Sequence, residues 1–144
     1  MIAGVATGAI AQAALVAEGM NLPMLYVRSS QKSHGLGNQI EGDISAGRNV
    51  VVVEDIVSTG GSSLKAVSAL EVAGLEVLGM TAIFTYGFPH AEENFKQAGV
   101  SLKTLSNYHD LIEEAVKTGY IQADDLETLK KWRTDPAAWK PEIK

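Results

Sequence analysis

The chain has 144 residues, of which 46% are hydrophobic and 20% are charged, a length and composition that suit one packed domain and exclude two ordinary ones. Its formal net charge at pH 7 is −5 and no basic run exceeds two residues, which argues against a surface that follows nucleic-acid phosphates. It has no cysteine, which excludes a disulfide framework and thiolate metal sites and fits a reducing cytoplasm.

Residues 1–17 are apolar enough to suggest a signal peptide or a membrane span. The first basic residue is Arg28, so the positively charged leader of a signal peptide is missing. Gly4, Thr7 and Gly8 interrupt a segment that is already short for a bilayer. We therefore expect no membrane span. The chain begins directly on a predicted buried strand, which suggests that further sequence precedes it.

The predicted elements alternate between strands and helices. Strands are predicted over 1–5, 23–27, 40–44, 50–53, 77–86 and 100–105, and helices over 9–18, up to about 73, 91–98, 108–117 and 123–133. Gly74 is expected to follow the end of the second helix, and Asn107 and Asp124 are expected to cap the last two. This alternation predicts an α/β fold with a mostly parallel, twisted sheet flanked by helices.

Residues 1–144 are predicted to form a single domain with two less regular parts. The segment from about 28 to 38 is polar and lacks periodic apolar residues, which is typical of a mobile functional loop. Residues from about 107 to 144 form a C-terminal helical tail. Trp132 and Trp139 in this tail are expected to bury their rings against the body or against a partner subunit.

The run of β-branched residues at 50–53 predicts a strand buried on both faces, and two carboxylates, Glu54 and Asp55, follow it directly. Open α/β sheets bind ligands beyond the carboxyl ends of their strands, so these acids are expected beside a ligand. Neighbouring strand residues point to opposite faces, so one acid can face the ligand while the other anchors the loop. Such carboxylates can accept hydrogen bonds from sugar hydroxyls or lie near a bound cation.

A loop of small and hydroxylated residues, 58–63, follows the acids and opens a helix. Gly60 and Gly61 allow a turn with converging N–H groups, and the positive end of the helix adds to them, so the loop is suited to a phosphate. The hydroxyl donors in the loop are Ser58, Thr59, Ser62 and Ser63. A solvated strand end and a simple capping turn would explain the loop alone, but not the whole arrangement. The Walker A and Rossmann glycine patterns are not met here.

The stretch 50–63 closely resembles the phosphoribosyl pyrophosphate signature of type I phosphoribosyltransferases. The resemblance implies that 58–62 hold the 5′-phosphate and that Glu54 and Asp55 lie along the 2′ and 3′ ribose hydroxyls. The full set of contacts that it implies in this stretch is Glu54, Asp55, Ile56, Val57, Ser58, Thr59, Gly60, Gly61 and Ser62. The family uses no side-chain nucleophile, so no serine is expected to act as one.

Residues 4–9 are similar to the pyrophosphate-binding loop of the same family, which implies that Thr7 and Gly8 contact the diphosphate through backbone N–H groups. Small residues at these positions could equally serve to pack a helix against the sheet. The sequence alone leaves both interpretations open.

Residues 26–28, leading into Lys32 and His34, resemble the catalytic loop of the family members that act on orotate. The leaving pyrophosphate carries several negative charges, which Mg²⁺ and the cations of a movable loop would neutralise. Arg28 and Lys32 supply fixed charge, and His34 could be protonated beside the diphosphate, so these three are the predicted catalytic residues. The alternative is that they are solvated loop residues. Many family members have a second basic residue where this chain has Ser29.

The resemblance extends over essentially the whole chain. Its further matching segments are 83–89, 92–95, 118–121 and 132–136. It implies that an N-terminal portion, which forms a hood over the orotate ring in the family, is missing from this sequence. Ser58 is the one position that matches an orotate-contacting residue, because the arginine that some members carry near Tyr86 is not found there. His90 and His109 are expected at capping or surface positions.

The reaction that the resemblance implies is displacement of pyrophosphate from phosphoribosyl pyrophosphate by N1 of orotate, giving orotidine 5′-phosphate on the route to UMP. Positive charge develops at C1, so catalysis would depend on positioning and on leaving-group stabilisation. Mg²⁺ would be held mainly by pyrophosphate and ribose oxygens, with no direct protein ligand. The family's loop serves the neighbouring subunit, so a homodimer is implied, located in the cytoplasm.

Three alternatives remain open at the level of sequence. A purine phosphoribosyltransferase would share the signature, but it would not be expected to carry the loop from Arg28 to Gly35 in this form. A regulatory module could keep the phosphoribosyl site without catalysis, although Lys32 and His34 argue against this. Finally, the chain could fold and yet be inactive without the hood.

Overall fold

The computed structural model describes residues 1–28 and 39–140. Lys32 and His34, and with them nearly all of the predicted loop 28–38, lie outside the described residues. Arg28 is the one predicted catalytic residue that can be placed.

Six strands and five helices alternate along the described chain. The strands are β1 (Ile2–Val5), β2 (Met24–Val27), β3 (Ile40–Glu41), β4 (Asn49–Val57), β5 (Glu76–Thr85) and β6 (Leu102–Asn107), and the helices are α1 (Ile10–Met20), α2 (Gly61–Val72), α3 (Pro89–Gln97), α4 (Tyr108–Lys117) and α5 (Asp125–Thr134). A short 3₁₀ helix covers Ile44–Ala46. No helix within the described residues has the length and apolar character needed to cross a membrane.

The strands form one sheet in the order β3-β2-β1-β4-β5-β6. Each neighbouring pair is parallel except β2 and β3, which are antiparallel. On one face, Ala13 and Ala17 of α1 pack near Val53, and on the other face Leu70 of α2 and Phe95 of α3 join the larger core. The predicted α/β fold with a mostly parallel sheet between helices is confirmed.

Three strand predictions were wrong in their bounds, and one of them, predicted over 100–105, is shifted to Leu102–Asn107. The strand predicted over 40–44 ends at Glu41, because the Asp43 carboxylate accepts a hydrogen bond from Ser45 N at 2.9 Å and starts the 3₁₀ turn instead. The strand predicted over 50–53 runs to Val57, since Ile56 and Val57 continue the pairing with β5. The two acids therefore lie within the strand rather than after its end.

The predicted helix ends are confirmed at two of three positions. Asn107 caps α4, its side-chain oxygen accepting a hydrogen bond from Asp110 N at 3.0 Å. Gly74 follows α2 with φ +87°, the left-handed conformation that suits this position. Asp124 precedes α5 but its side chain makes no capping bond; instead the Asp125 carboxylate accepts one from Gln122 N at 3.2 Å.

Candidate substrate site

Two loops meet at the carboxyl edge of the sheet, where the adjacent parallel strands β1 and β4 end. One is the small-residue turn after β1, and the other is the loop of residues 58–63, here called the phosphate loop. Asp55 lies against the first of these loops: a β-carbon placed at Gly8 would come within 1.9 Å of Asp55 Oδ2. Only glycine leaves room for this carboxylate, so the turn that was predicted to bind the diphosphate lies beside an acid that was predicted to lie along the ribose.

The backbone N–H groups of the phosphate loop form no hydrogen bonds with the described part of the chain. Across residues 1–28 and 39–140, no hydrogen bond reaches the N–H of any residue from Ser58 to Ser63, and the first bond of α2 runs from Leu64 N to Gly60 O at 2.9 Å. The side chains of Ser58, Thr59 and Ser62 are exposed. A row of free donors at the positive end of a helix is a binding site for an anion.

The shape of this loop depends on Gly60 and on α3. Gly60 has φ +79°, and a β-carbon on it would lie 2.8 Å from Phe95 Cε2. Asn94 of the same helix donates a side-chain hydrogen bond to Thr59 O at 3.2 Å. The loop is therefore fixed from outside by α3, with its N–H groups left available.

Glu54 is buried beneath the phosphate loop, with 4% of its surface exposed. Its Oε2 accepts a hydrogen bond from Ser63 Oγ at 2.8 Å, and its Oε1 accepts one from Asp55 N at 3.1 Å. Burial, with a smaller contribution from the neighbouring Asp55, raises the pKa of Glu54 to about 7. Glu54 thus ties β4 to the first turn of α2.

The expectation that Ser63 offers its hydroxyl to a phosphate was wrong. Ser63 is 1% exposed, and its hydroxyl donates to Glu54 instead. The sequence could not show this, because the side chain of the third helical residue can turn toward solvent or toward the sheet.

Asp55 has the more open surroundings of the two acids. Its Oδ1 accepts a hydrogen bond from Ile56 N at 2.8 Å, while Oδ2 lies toward Gly8. Glu54 contacts α2 on one face of the sheet and Asp55 adjoins the turn before α1 on the other. The expectation that the two acids point to opposite faces is confirmed, and Asp55 is the one that lies beside the turn after β1.

The segment 4–9, which covers the end of β1 and the turn after it, contains small residues of both kinds that the sequence left open. A β-carbon at Gly4 would lie 2.8 Å from Ala13 Cβ, so Gly4 allows α1 to pack closely on the sheet. Gly8, by contrast, gives room to Asp55. Thr7 is exposed, and the peptide bond between Ala6 and Thr7 is cis.

Arg28 stands at the end of β2, at the same edge of the sheet. Its Nη2 lies 3.3 Å from Glu41 Oε1, and its backbone N–H donates to Gln39 O while Gln39 Nε2 donates to Arg28 O at 2.8 Å. Arg28 Nε is buried and has no partner within the described residues. Ala6 N, in the small-residue turn after β1, donates a hydrogen bond to Val27 O at 2.8 Å. Val27 is the last residue of β2, so Arg28 directly follows a strand end that is bonded to this turn.

The contact of Arg133 with the turn after β5 was not predicted from the sequence. Its guanidinium lies against the turn after β5, where Nε donates to Tyr86 O at 2.9 Å. No local pattern could have indicated a contact across 47 residues. His90 and His109 are exposed, as predicted.

No group of three or more histidine, aspartate or glutamate side chains within the described residues could hold a metal ion alone. A divalent cation at this edge would therefore need oxygen atoms from a ligand.

The geometry of this site agrees with the comparison against family models. Residues 1–120 match the phosphoribosyl transferase domain, so the chain belongs to that family. Orotate phosphoribosyltransferase of Cytophaga hutchinsonii is 60% identical over 139 residues, which are 96% of this chain and 66% of that protein. The chain thus spans just under two thirds of the length of this curated relative.

Solved structures give the same result for the fold. Orotate phosphoribosyltransferase from Aeropyrum pernix is 33% identical, with a TM-score of 0.72 over 83% of this chain and 65% of that one. The Mycobacterium tuberculosis orotate phosphoribosyltransferase in complex with 5-phospho-α-D-ribosyl 1-diphosphate is 31% identical, with a TM-score of 0.61 over 76% of this chain and 64% of that one.

Proposed function

We propose that this protein is an orotate phosphoribosyltransferase, which transfers the 5-phosphoribosyl group of phosphoribosyl pyrophosphate to orotate and releases orotidine 5′-phosphate and pyrophosphate. The proposal that the site binds a sugar phosphate rests on the row of free N–H groups from Ser58 to Ser63, in the loop that follows the strand of Asp55. The 60% identity with an orotate phosphoribosyltransferase supports orotate as the acceptor.

Different groups of the described residues bind different parts of the substrate. The phosphate loop binds the 5′-phosphate through N–H groups and exposed hydroxyls. Asp55 accepts hydrogen bonds from the ribose hydroxyls, and the turn at Thr7 and Gly8 approaches the diphosphate. Because positive charge develops at C1 as the leaving group departs, holding both ends of the substrate brings C1 into line with the attacking nitrogen of orotate. Ser58 is the proposed contact to the base.

Cations are needed because the leaving group is highly charged and the chain has a net charge of −5. Arg28 follows the strand next to the small-residue turn and can swing from Glu41 toward the diphosphate. Lys32 and His34, outside the described residues, are proposed to complete the cluster late in the reaction. Mg²⁺ would supply further neutralisation of the leaving group, held mainly by oxygen atoms of the pyrophosphate and the ribose.

The assembly and location of the enzyme belong to the same proposal. A homodimer in which the loop of one subunit serves the site of the other, acting in the cytoplasm, is what the resemblance to the family implies.

The deciding experiment is turnover of orotate with phosphoribosyl pyrophosphate and Mg²⁺, comparing this chain with one extended to the length of its relatives. We expect orotidine 5′-phosphate from the longer form at least. Conversion of a purine base in place of orotate would show that the base assignment is wrong. Binding of phosphoribosyl pyrophosphate without turnover of any base by either form would instead favour a regulatory module.

A further inference from the structure

Arg133, near the end of α5, reaches back to the turn that follows β5. Its Nε donates a hydrogen bond to Tyr86 O at 2.9 Å, and its Nη2 donates to Gly87 O. Among the residues that the structure describes, the guanidinium makes no ion pair with a carboxylate. Its charge is thus directed at two neighbouring carbonyl groups, which a planar fork can hold at a fixed separation.

This turn is itself bonded to the strand that leads into the phosphate loop. Tyr86 N donates to Val57 O at 3.1 Å, and Thr85 Oγ1 donates to the same carbonyl at 3.2 Å. Thr85 Oγ1 also accepts a hydrogen bond from Gly87 N at 3.0 Å. Val57 is the residue immediately before Ser58. A continuous path of hydrogen bonds therefore connects Arg133 to Val57, the residue that precedes the loop.

Close packing keeps the guanidinium in this place. Gly87 has φ +63°, and a β-carbon on it would lie only 3.1 Å from Arg133 Nη2. The ring of Trp132 lies 5.7 Å from Tyr86 and 5.1 Å from Tyr108, measured between centroids. The aromatic contacts hold α5 against the end of β5, so Arg133 is presented to the turn by a packed helix rather than by a free tail.

The helix that carries Arg133 lies outside the part of the chain that matches the general domain, which ends at residue 120. We infer that Arg133 is a positioning residue that sets the geometry of the phosphate loop, and through it the affinity for the sugar phosphate. It acts through the turn after β5 and Val57 rather than by touching the substrate. The inference rests on the proposed function, because it takes the phosphate loop as the site of the 5′-phosphate.

The binding test compares Arg133→Met with Lys131→Met, which removes an exposed cation from the same helix. Titration calorimetry with ribose 5-phosphate and with inorganic pyrophosphate separates the two loops. We expect Arg133→Met to bind ribose 5-phosphate roughly tenfold more weakly, the usual scale for a lost charged hydrogen bond. Pyrophosphate affinity should not change, since its loop follows β1. Lys131→Met should leave both affinities unchanged.

A measurement on the ligand-free chain tests the same idea independently. The amide resonances of residues 58–61 should shift in Arg133→Met and stay in place in Lys131→Met. Unmoved resonances, or equal losses for both ligands, would overturn the positioning role. If the wild-type chain binds neither ligand, the proposed function fails, while the resonances still decide whether Arg133 shapes the loop.

A third variant controls for the possibility that Arg133→Met loses the fold. Arg133→Lys keeps the charge and most of the length but cannot bridge two carbonyls with a planar fork. We expect it to shift the same resonances and to weaken ribose 5-phosphate binding in the same direction. Wild-type behaviour of Arg133→Lys would mean that charge alone matters and would contradict the two-carbonyl argument.

Discussion

Glu54 and Asp55 are adjacent in sequence, yet the structure gives them different chemical environments. Glu54 is buried under α2 with both carboxylate oxygens hydrogen-bonded, whereas Asp55 keeps one oxygen facing the turn after β1. Burial raises the pKa of Glu54, so this carboxyl holds its proton to a higher pH than a carboxyl in water does. The pair therefore joins a structural acid to one that is available for a ligand.

The raised pKa of Glu54 predicts a specific dependence of stability on pH. Its pKa is about 7 in the folded chain, against an ordinary value of 4.5, so folding favours the protonated form. This contribution to the free energy of unfolding is complete below pH 4.5 and is lost as the pH rises to about 7. Relative to wild type, Glu54→Gln should gain about 2 to 3 kcal/mol between pH 4.5 and pH 8, measured by urea unfolding.

Glu71→Gln is the matched control, because Glu71 lies exposed on α2, the helix that covers Glu54. Its free energy of unfolding should follow that of wild type across the same range. A constant difference between Glu54→Gln and wild type at every pH would mean that Glu54 does not bind a proton on folding.

Gly8 is the second residue whose replacement gives a clear result. A β-carbon there would lie 1.9 Å from Asp55 Oδ2, so Gly8→Ala must displace either the carboxylate or the turn. We expect binding of phosphoribosyl pyrophosphate to weaken by at least roughly tenfold, which calorimetry would measure. Gly19→Ala is the control, because nothing lies within 4 Å of that position. It should leave binding unchanged and add about 0.5 to 1 kcal/mol of stability as a helical alanine.

At the level of elements, hydrophobic periodicity was enough to predict the order of strands and helices and the parallel sheet. It was insufficient where a side chain can form a hydrogen bond with either of two partners. Ile44 looks like a strand residue, but Asp43 bonds to Ser45 N and turns the chain. Ser63 looks like a phosphate ligand, but it bonds to Glu54 across the core. The Asp43 bond spans two residues and could have been predicted from a local turn pattern, whereas the Ser63 bond depends on which face of α2 meets the sheet.

The packing of α5 is an element-scale feature with its own prediction. Trp132 contacts the rings of Tyr86, Phe88 and Tyr108, with centroids 5.1 to 6.2 Å apart. Trp132→Ala should lower the free energy of unfolding by about 2 to 3 kcal/mol, somewhat less than for a fully buried tryptophan. Tyr120→Ala serves as control, because Tyr120 is 89% exposed and should cost little. Equal losses in urea unfolding would show that α5 is not held by this cluster.

At the scale of the whole molecule, the chain spans 66% of the length of a relative of the same family. Leu15 of α1 and Leu105 of β6 are 75% and 81% exposed, but they lie on separate elements, and single exposed apolar residues are normal on a protein surface. The proposed activity should therefore be measured on a chain extended to the length of its relatives.

The proposed exchange of loops in a homodimer can be tested by mixing two inactive variants of the active form. Lys32→Ala removes the loop lysine, which lies outside the described residues, and Asp55→Asn removes the acid that faces the ligand. If the loop of each subunit serves its neighbour, a mixed dimer contains one site with both changes and one with neither. Random mixing should then restore about a quarter of the wild-type turnover, measured as orotidine 5′-phosphate formed. If each subunit used its own loop, every site in the mixture would keep one change and turnover would stay at the level of the separate variants.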